Sequence, residues 1–496
     1  MKASVFSRAF LLFLCLSLLA GLASCSNTGG TENTVSTNRG TASPAQTEAT
    51  TRDPVEDLPN LTYGFEDFTF LIRDETEALV DQCVTEITET SSLVDRAVFE
   101  RNLNIEDRFA VNFVFVPKPY TEHSSAVSST IKSGDSAYDV VIGAGYTVFA
   151  GIYANYFEDW NNLEHVDLDA PWWNQSARNE WATPGGKLFA MNGDLCYSTV
   201  ANGFCVFFNK TVLNNAGITS PYTHVYSNTW TQESFLQSIK QANDSLVHTG
   251  TNDLKTDTFG YVTWQFNGPF HVFYSTGLSV FAKNEDGTYS IGWKNETCYN
   301  TFARYREMLL ESDAAYYHNA GTPDDARNAF AAGSVVFTDD TVRCAVNFKS
   351  SGIDFGIVPY PKATEEVQNF HSMVGSGTNT FAVIRSLGSE RLSRTSLILE
   401  AMARYGYMDV IPYYFDTILS YQAMQDEDSL EMLKIIRNAS FFDLGGYANF
   451  GGIGYIGRLI INSPGVYGEN IYTAIAVLEN KTMAELDKWY ALDDPK

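Results

Sequence analysis

The sequence predicts an α/β protein built as two lobes with a ligand cleft between them. Three observations point there. Extended apolar runs alternate with helical patterns along most of the chain, as in sheets covered by helices. About 435 residues follow the N-terminal leader and linker, too many for one ordinary core. The stretch Gly186–Lys210 (GKLFAMNGDLCYSTVANGFCVFFNK) places turn residues, Asn192-Gly193-Asp194 and Ala201-Asn202-Gly203, between two extended runs. The first run is Lys187–Met191. The second, Gly203–Asn209, is nearly all apolar and reads as buried on both faces. This stretch is expected to cross between lobes, with Asp194 and Asn202 near the cleft. The competing reading is a pair of core strands in a single-domain enzyme.

The chain opens with a targeting segment. Lys2 and Arg8 precede the apolar run Ala9–Ala23, which is too short to span a membrane comfortably. Residues 1–24 read as a signal peptide. Leu22-Ala23-Ser24-Cys25 resembles the lipobox of bacterial lipoproteins, which implies that Cys25 becomes the first mature residue and carries lipid. Residues 25–62 read as a flexible tether. Ser26–Asn60 contains no Phe, Tyr or Trp and cannot bury enough surface to order itself. As a coil its ends would lie roughly 30 Å apart.

The rest is globular in composition, 44% hydrophobic and 14% aromatic, with formal charge −26 for the whole chain. A surface this acidic repels nucleic acid and anionic lipid and favours a neutral or cationic ligand. Beyond Cys15 and Cys25 remain Cys83, Cys196, Cys205, Cys298 and Cys344, with no C-x-x-C. Cys205, inside an apolar run, reads as a buried small hydrophobe. One disulfide fits the count, and no pairing follows from spacing.

The first lobe is expected over 63–198 and 376–416. Phe68–Arg73 reads as a strand, Ser91–Phe109 as a helix, Asn112–Val116 as a strand, Ser124–Lys132 as a helix and Tyr138–Ile142 as a third strand. Ligands of such sheets sit beyond the carboxyl ends of strands, which makes Arg73, Tyr146 and Thr147 candidates. Gly143-x-Gly145 lacks the third glycine of a dinucleotide loop, Val148 standing there. A full G-x-G-x-x-G at Gly452, Gly454 and Gly457 follows no clear strand, and an exported chain has no access to cytoplasmic cofactors.

The second lobe is expected over 199–375 and 417–496. Thr229-Trp230-Thr231 starts a helix containing Phe235, Leu236 and Ile239. Phe259–Thr263 reads as a strand. Asn284-Glu285-Asp286-Gly287 reads as a hairpin turn. Ala326–Ala332 reads as a helix and Ser334–Thr338 as a strand that Asp339-Asp340 ends. Phe355–Val358 is another strand. Met373–Gly377 leads into Thr380–Ile384, a return to the first lobe. A further crossing is expected near Tyr413–Leu419.

This order resembles the family 1 extracellular solute-binding proteins, the maltose-binding-protein-like receptors of ABC importers. The resemblance rests on Tyr138-Asp139-Val140-Val141, Phe207-Phe208-Asn209-Lys210, the Thr-Trp helix start, the Asp-Gly hairpin and Phe330-Ala331-Ala332-Gly333-Ser334. It covers roughly Phe68–Leu486. Asp426–Leu433 and Asp443-Leu444-Gly445-Gly446 resemble a carbohydrate-uptake subgroup. The resemblance implies a type II periplasmic-binding-protein-like fold and a monomer anchored by lipid on the outer face of the cytoplasmic membrane. It also implies membrane permease subunits as partners, a carbohydrate ligand, and Asn202 as a ligand contact. Gly143 and Tyr146 stand where maltose-binding protein offers a tryptophan, so the identity of the sugar does not carry over.

No G-x-S-x-G or H-E-x-x-H occurs, and the seven histidines show no helical metal pair, so neither cofactor nor metal is expected. Asp339 and Asp340, adjacent on a strand, point oppositely and cannot face each other as a glycosidase pair. A secreted carbohydrate-active enzyme is the alternative class, and a receptor for peptides or polyamines is the rival among binding proteins. Sugars need aromatic platforms and planar polar groups. Trp264, Phe266, Asn267 and Phe270 form one suitable loop, Tyr447, Asn449 and Phe450 a second, and Trp172-Trp173 a third candidate. Asp340 is expected beside them.

Overall fold

A computed structural model describes residues 53–74, 83–89, 91–246, 250–251, 253–415, 419, 426–462 and 471–494. Cys25 and the signal peptide lie outside the described residues. Asp53–Asn60, read from composition as tether, packs on the body instead. Val55 is fully buried, Tyr405 donates to Asp53 Oδ1 at 2.8 Å, and Arg404 donates to Asp57 Oδ1 at 2.8 Å. Two aliphatic anchors and two carboxylates order this segment without any aromatic.

In chain order the strands are β1 (Glu66–Arg73), β2 (Val111–Lys118), β3 (Val140–Ala144), β4 (Phe204–Asn209), β5 (Phe259–Trp264) and the hairpin β6 (Phe281–Lys283) and β7 (Tyr289–Ile291). Then come β8 (Ala315–His318), β9 (Val335–Thr341), β10 (Phe355–Pro359), β11 (Ser372–Met373), β12 (Asn379–Val383) and β13 (Ser440–Phe441). The first sheet has the order β12-β3-β1-β2, and the second the order β10-β4-β9-β5-β8. Each is mixed. In the first, β1, β2 and β3 are parallel and β12 runs against β3. In the second, β5, β8 and β9 are parallel, while β4 runs against both β9 and β10.

Local chemistry explains most elements. The helix Leu93–Phe109 starts at a capping box of Ser92 and Asp95, which satisfies two otherwise orphan donors. Thr231 caps the helix Gln232–Asp244, and Trp230 beside it is fully buried, donating to the Pro359 carbonyl at 2.8 Å. The strands β3, β4, β10 and β12 are buried at every position, as continuous apolar runs should be. Two expectations need correction. Lys187–Met191 is not a strand; only Met191 bridges, to Phe381 of β12. Asp339 and Asp340 do not end a strand but lie within β9. Both are buried: Arg327 partners Asp340, whereas burial disfavours the charged form of Asp339 and pushes its carboxyl up.

The two sheets are joined by a pair of crossings that run side by side in opposite directions. Met191 bridges Phe381, Asn192 donates from Nδ2 to the Asn379 carbonyl at 2.7 Å, Asn202 donates to Thr378 Oγ1 at 3.2 Å, and Gly203 bridges Val374. The outgoing crossing thus spans Asn192–Asn202 and the returning one Gly375–Thr378. Residues 416–418, within the third expected crossing, lie outside the described residues. Near the crossings β11 pairs with β13 in a short parallel ribbon. Toward the C-terminus, Ile471–Tyr490 forms a helix. Trp489 stacks on Phe149 of the helix Gly145–Tyr153 at 6.0 Å, and Tyr490 stacks on Tyr289 of the hairpin at 6.4 Å. Among the described residues no helix is long and apolar enough to cross a membrane, and Cys205, Cys298 and Cys344 are buried thiols.

Candidate functional site

The site builds outward from the crossings. Arg73, the last residue of β1, reaches the returning crossing and donates from Nη1 to the Gly377 carbonyl at 2.7 Å. The next residue on that crossing, Thr378, accepts from Asn202. Gly145, beyond β3, donates its amide to the Ser376 carbonyl at 2.7 Å and opens the helix Gly145–Tyr153. Tyr146, 36% exposed, and the half-buried Thr147 form its first turn. Arg73, Gly145 and Asn202 therefore meet on Ser376–Thr378, and Tyr146 and Thr147 directly follow Gly145 beyond the carboxyl end of β3.

Gly145 is a glycine for a steric reason. A Cβ there would lie 2.2 Å from the ring of Tyr447. Tyr447 is fully buried and donates its hydroxyl to the carbonyls of Val374 and Gly375, at 2.9 and 3.2 Å. One tyrosine thus fixes the returning crossing against the first lobe. Sequence reading placed it in an aromatic loop; its role comes from burial.

In the second lobe, parallel register sets Trp264 beside His318. The pairing of Val262 with Thr338 carries Trp264 level with Asp340 two residues on. Side chains at one level of a sheet share a face. Asp340 is 3% exposed and is held by Arg327 from the helix Asp324–Ala331, Nε to Oδ2 at 2.7 Å and Nη2 to Oδ1 at 3.0 Å. Its neighbour Asp339 points to the other face, as strand alternation requires, among Tyr261, Tyr305 and Thr263. Burial pushes the Asp339 carboxyl up to about 8, the Thr263 hydroxyl opposing.

Trp264 is half-buried and its ring meets that of Phe266 at 4.7 Å. Tyr455 lies edge-on to Phe266 at 5.8 Å, and the Arg458 guanidinium sits 4.3 Å above the Phe266 ring. Arg458 also donates from Nε to Gln265 Oε1 at 2.9 Å. Phe270 is 6% exposed and packs against Tyr274 and Tyr455, so it backs this wall rather than facing outward. Asn449 takes a left-handed conformation (φ 49°) and accepts the Gly454 amide at 3.0 Å. It shapes the turn. Phe450 opens the 3-10 segment Phe450–Tyr455, and its side chain lies outside the described residues.

Tyr455 and Arg458 were missed by sequence reading, although Tyr455 sits inside the G-x-G-x-x-G run and Arg458 directly follows it. Its glycines serve packing. A Cβ on Gly457 would lie 1.8 Å from the Pro269 carbonyl oxygen. The helix Ile456–Asn462 therefore presses on the loop after β5. A glycine-rich run answering an aromatic loop was the available signal.

Asp194 lies in a different place. It is buried, donates its amide to the Trp172 carbonyl at 2.9 Å, and lines a cavity of about 140 Å³ with Trp172, Asn174, Thr199, Arg437 and Ser440. Burial pushes its carboxyl up to about 7, with Arg437 opposing. Trp172 lies under the Arg404 guanidinium at 4.9 Å and belongs to this cavity. Among the described residues no cluster of His, Cys, Asp and Glu could hold a metal ion.

No protein-family model matches the chain, and no curated protein matches it. Solved structures do. The galacto-N-biose/lacto-N-biose I-binding protein of the ABC transporter from Bifidobacterium longum, in complex with lacto-N-biose, superposes with a TM-score of 0.57 at 13% identity, covering 86% of this chain and 98% of that one. A cyclo/maltodextrin-binding protein complexed with maltotetraose gives 0.55 at 12% identity, covering 84% and 97%. UgpB from Mycobacterium tuberculosis with glycerophosphocholine gives 0.54 at 15% identity, covering 86% and 99%. The chain has the two-lobed α/β fold of the solute-binding proteins. Within it, the fold is the type II arrangement expected from the order of its elements.

Proposed function

We propose that this chain is the extracellular solute-binding receptor of an ABC importer, that its ligand is a mono- or oligosaccharide, and that it is not an enzyme. One observation carries this reading: strand ends of the first lobe converge on the returning crossing, through Arg73 to Gly377 and Gly145 to Ser376. A site built on the hinge itself senses the angle between lobes, and a ligand touching both sides favours closure. Arg73, Tyr146, Thr147 and Asn202 form one wall in this proposal. Trp264, with Phe266 and Tyr455, forms the other, and Asp340 orders it through Arg327. The lobes are assigned to 63–198 with 376–416 and to 199–375 with 417–496. Lipid on Cys25 holds the receptor as a monomer on the outer face of the cytoplasmic membrane, where it delivers ligand to permease subunits. The solved structures of similar fold support the reading, since their names describe sugar-binding proteins and an ABC transporter component.

Thermal-shift screening of the purified soluble body against mono- and oligosaccharides, peptides and polyamines tests it. A ligand at 100 times its dissociation constant stabilises by about 2.7 kcal/mol. Stabilisation by a carbohydrate without turnover is expected. Stabilisation by polyamines or peptides alone overturns the sugar assignment, and hydrolysis of a bound oligosaccharide overturns the receptor assignment.

A further inference from the structure

We infer that the carbohydrate this receptor takes carries an anionic group, a carboxylate or a phosphate ester, and that Arg458 is the residue that selects it. The inference rests on the receptor reading above and narrows its ligand class.

Arg458 is held from two directions. The Phe266 ring lies 4.3 Å beneath its guanidinium. The Gln265 amide oxygen accepts from Nε at 2.9 Å, and Gln265 is itself 8% exposed. These contacts fix the plane of the guanidinium and use its inner edge. The outer edge, formed by Nη1 and Nη2, has no hydrogen-bond partner among the described residues, and no carboxylate lies within ion-pairing distance of Arg458 there. Arg327, on the helix Asp324–Ala331, is different: its charge is consumed by Asp340 and Asp324.

An uncompensated arginine is unexpected in a chain with 33 basic and 59 acidic side chains, where a carboxylate partner is easily supplied. A planar fork with a free outer edge matches a carboxylate or a phosphate by two parallel N–H···O bonds. Its neighbours fit the rest of a sugar. Trp264, Phe266 and Tyr455 form one aromatic group with Arg458, at the carboxyl end of β5. An aromatic face accepts the C–H side of a pyranose while the guanidinium takes its acidic substituent.

The acidic chain adds a kinetic signature. Its long-range field repels an anionic ligand although the local contact attracts it. Raising ionic strength from about 0.01 M to about 0.15 M shortens the screening length from about 30 Å to about 8 Å. Association should therefore quicken with salt.

The test is titration calorimetry of the whole extracellular body, with stopped-flow tryptophan fluorescence for the association rate, using paired probes: galacturonate oligomers and glucose 6-phosphate against neutral galactose and glucose oligomers. The expected result is tighter binding of one acidic probe than of its neutral partner, with an association rate that rises with salt. The two acidic arms distinguish a carboxylate from a phosphate. Arg458→Gln should weaken the acidic probe roughly 10- to 100-fold and a neutral sugar by a clearly smaller factor. Arg458→Lys keeps charge without the fork, should recover part of that loss, and stands in if the glutamine variant does not fold. Neutral oligosaccharides binding as tightly as acidic ones, or Arg458→Gln weakening both alike, overturns this inference and leaves the receptor reading standing. Binding of peptides or polyamines with no carbohydrate bound, neutral or acidic, overturns both.

Discussion

Arg327 grips Asp340 by both carboxylate oxygens, across 2.7 and 3.0 Å, on the level of the second sheet where Trp264 also stands. Asp340 is 3% exposed while Arg327 keeps contact with water. Arg327→Gln leaves a buried carboxylate short of its cation. Chemical denaturation should show a loss of about 1.5–3 kcal/mol. Asp340→Asn in the Arg327→Gln background should return much of it. If Arg327→Gln alone is neutral, the pair does not order this end of β9.

Trp264→Ala separates a ligand platform from core packing. A fully buried tryptophan costs about 3–5 kcal/mol on truncation. Trp264 is half-buried, so a smaller fall in the ligand-free melting temperature is expected, together with loss of ligand binding and of most ligand-induced tryptophan fluorescence change. Normal binding with a melting temperature many degrees lower would make Trp264 a core residue.

Stability should fall as pH rises from about 4.5 through about 8, because over that range the raised carboxyls together outweigh one lowered histidine. Burial raises Asp339 to about 8, Asp194 and Glu180 to about 7, and Asp443 to about 6. A raised carboxyl is stabilising while neutral, and that contribution is lost as pH climbs from its unfolded value through the folded one. His271 acts oppositely. Burial lowers it to about 3, so stability is lost as pH falls below its unfolded value, near 6.5. Melting curves should fall from pH 6 toward pH 8.5, and Asp339→Asn should flatten that limb. An unchanged slope in the variant would mean that Asp339 is ionised in the folded protein at neutral pH.

Gly145→Ala tests the hold of Tyr447 on the returning crossing. The added methyl would fall 2.2 Å from the Tyr447 ring and 3.2 Å from the Ser376 carbonyl oxygen. Because the neighbour is a buried ring rather than a flexible chain end, it cannot yield cheaply. Overpacking of this kind costs about 1–3 kcal/mol. Gly145→Ala should lower the melting temperature and alter ligand affinity, and Tyr447→Phe should alter affinity more than stability. Equal affinity in both variants would detach Tyr447 from hinge function.

Cys25→Ala should release the protein into the soluble fraction, since acyl chains would supply most of the membrane affinity. Membrane retention with acylation unchanged would show that another residue carries the anchor.

The periodicities alone determined the strands β1, β3, β4 and β5, the Thr231-capped helix and the hairpin β6–β7, because burial on both faces, capping and turn chemistry are local. The crossover at Asp194–Asn202 was legible from two turn motifs flanking an apolar run. Strand direction was not. β4 and β12 run against their neighbours because each enters its sheet from a crossing, and that depends on where the chain has come from. The same limit applies to the site. Strand-end logic singles out Arg73, which the structure ties to Gly377, whereas Phe270 reads as an exposed ring and is buried against Tyr274 and Tyr455. Asp194 reads as a cleft residue and lies in a cavity with Arg437, more than two hundred residues away in the chain. Arg458 carries no sequence signal of its own. It acquires a role only when Gly457 lets its helix press on Pro269 and brings the guanidinium over Phe266. Long-range packing decides which polar groups meet, and a one-dimensional pattern of burial does not encode those partners.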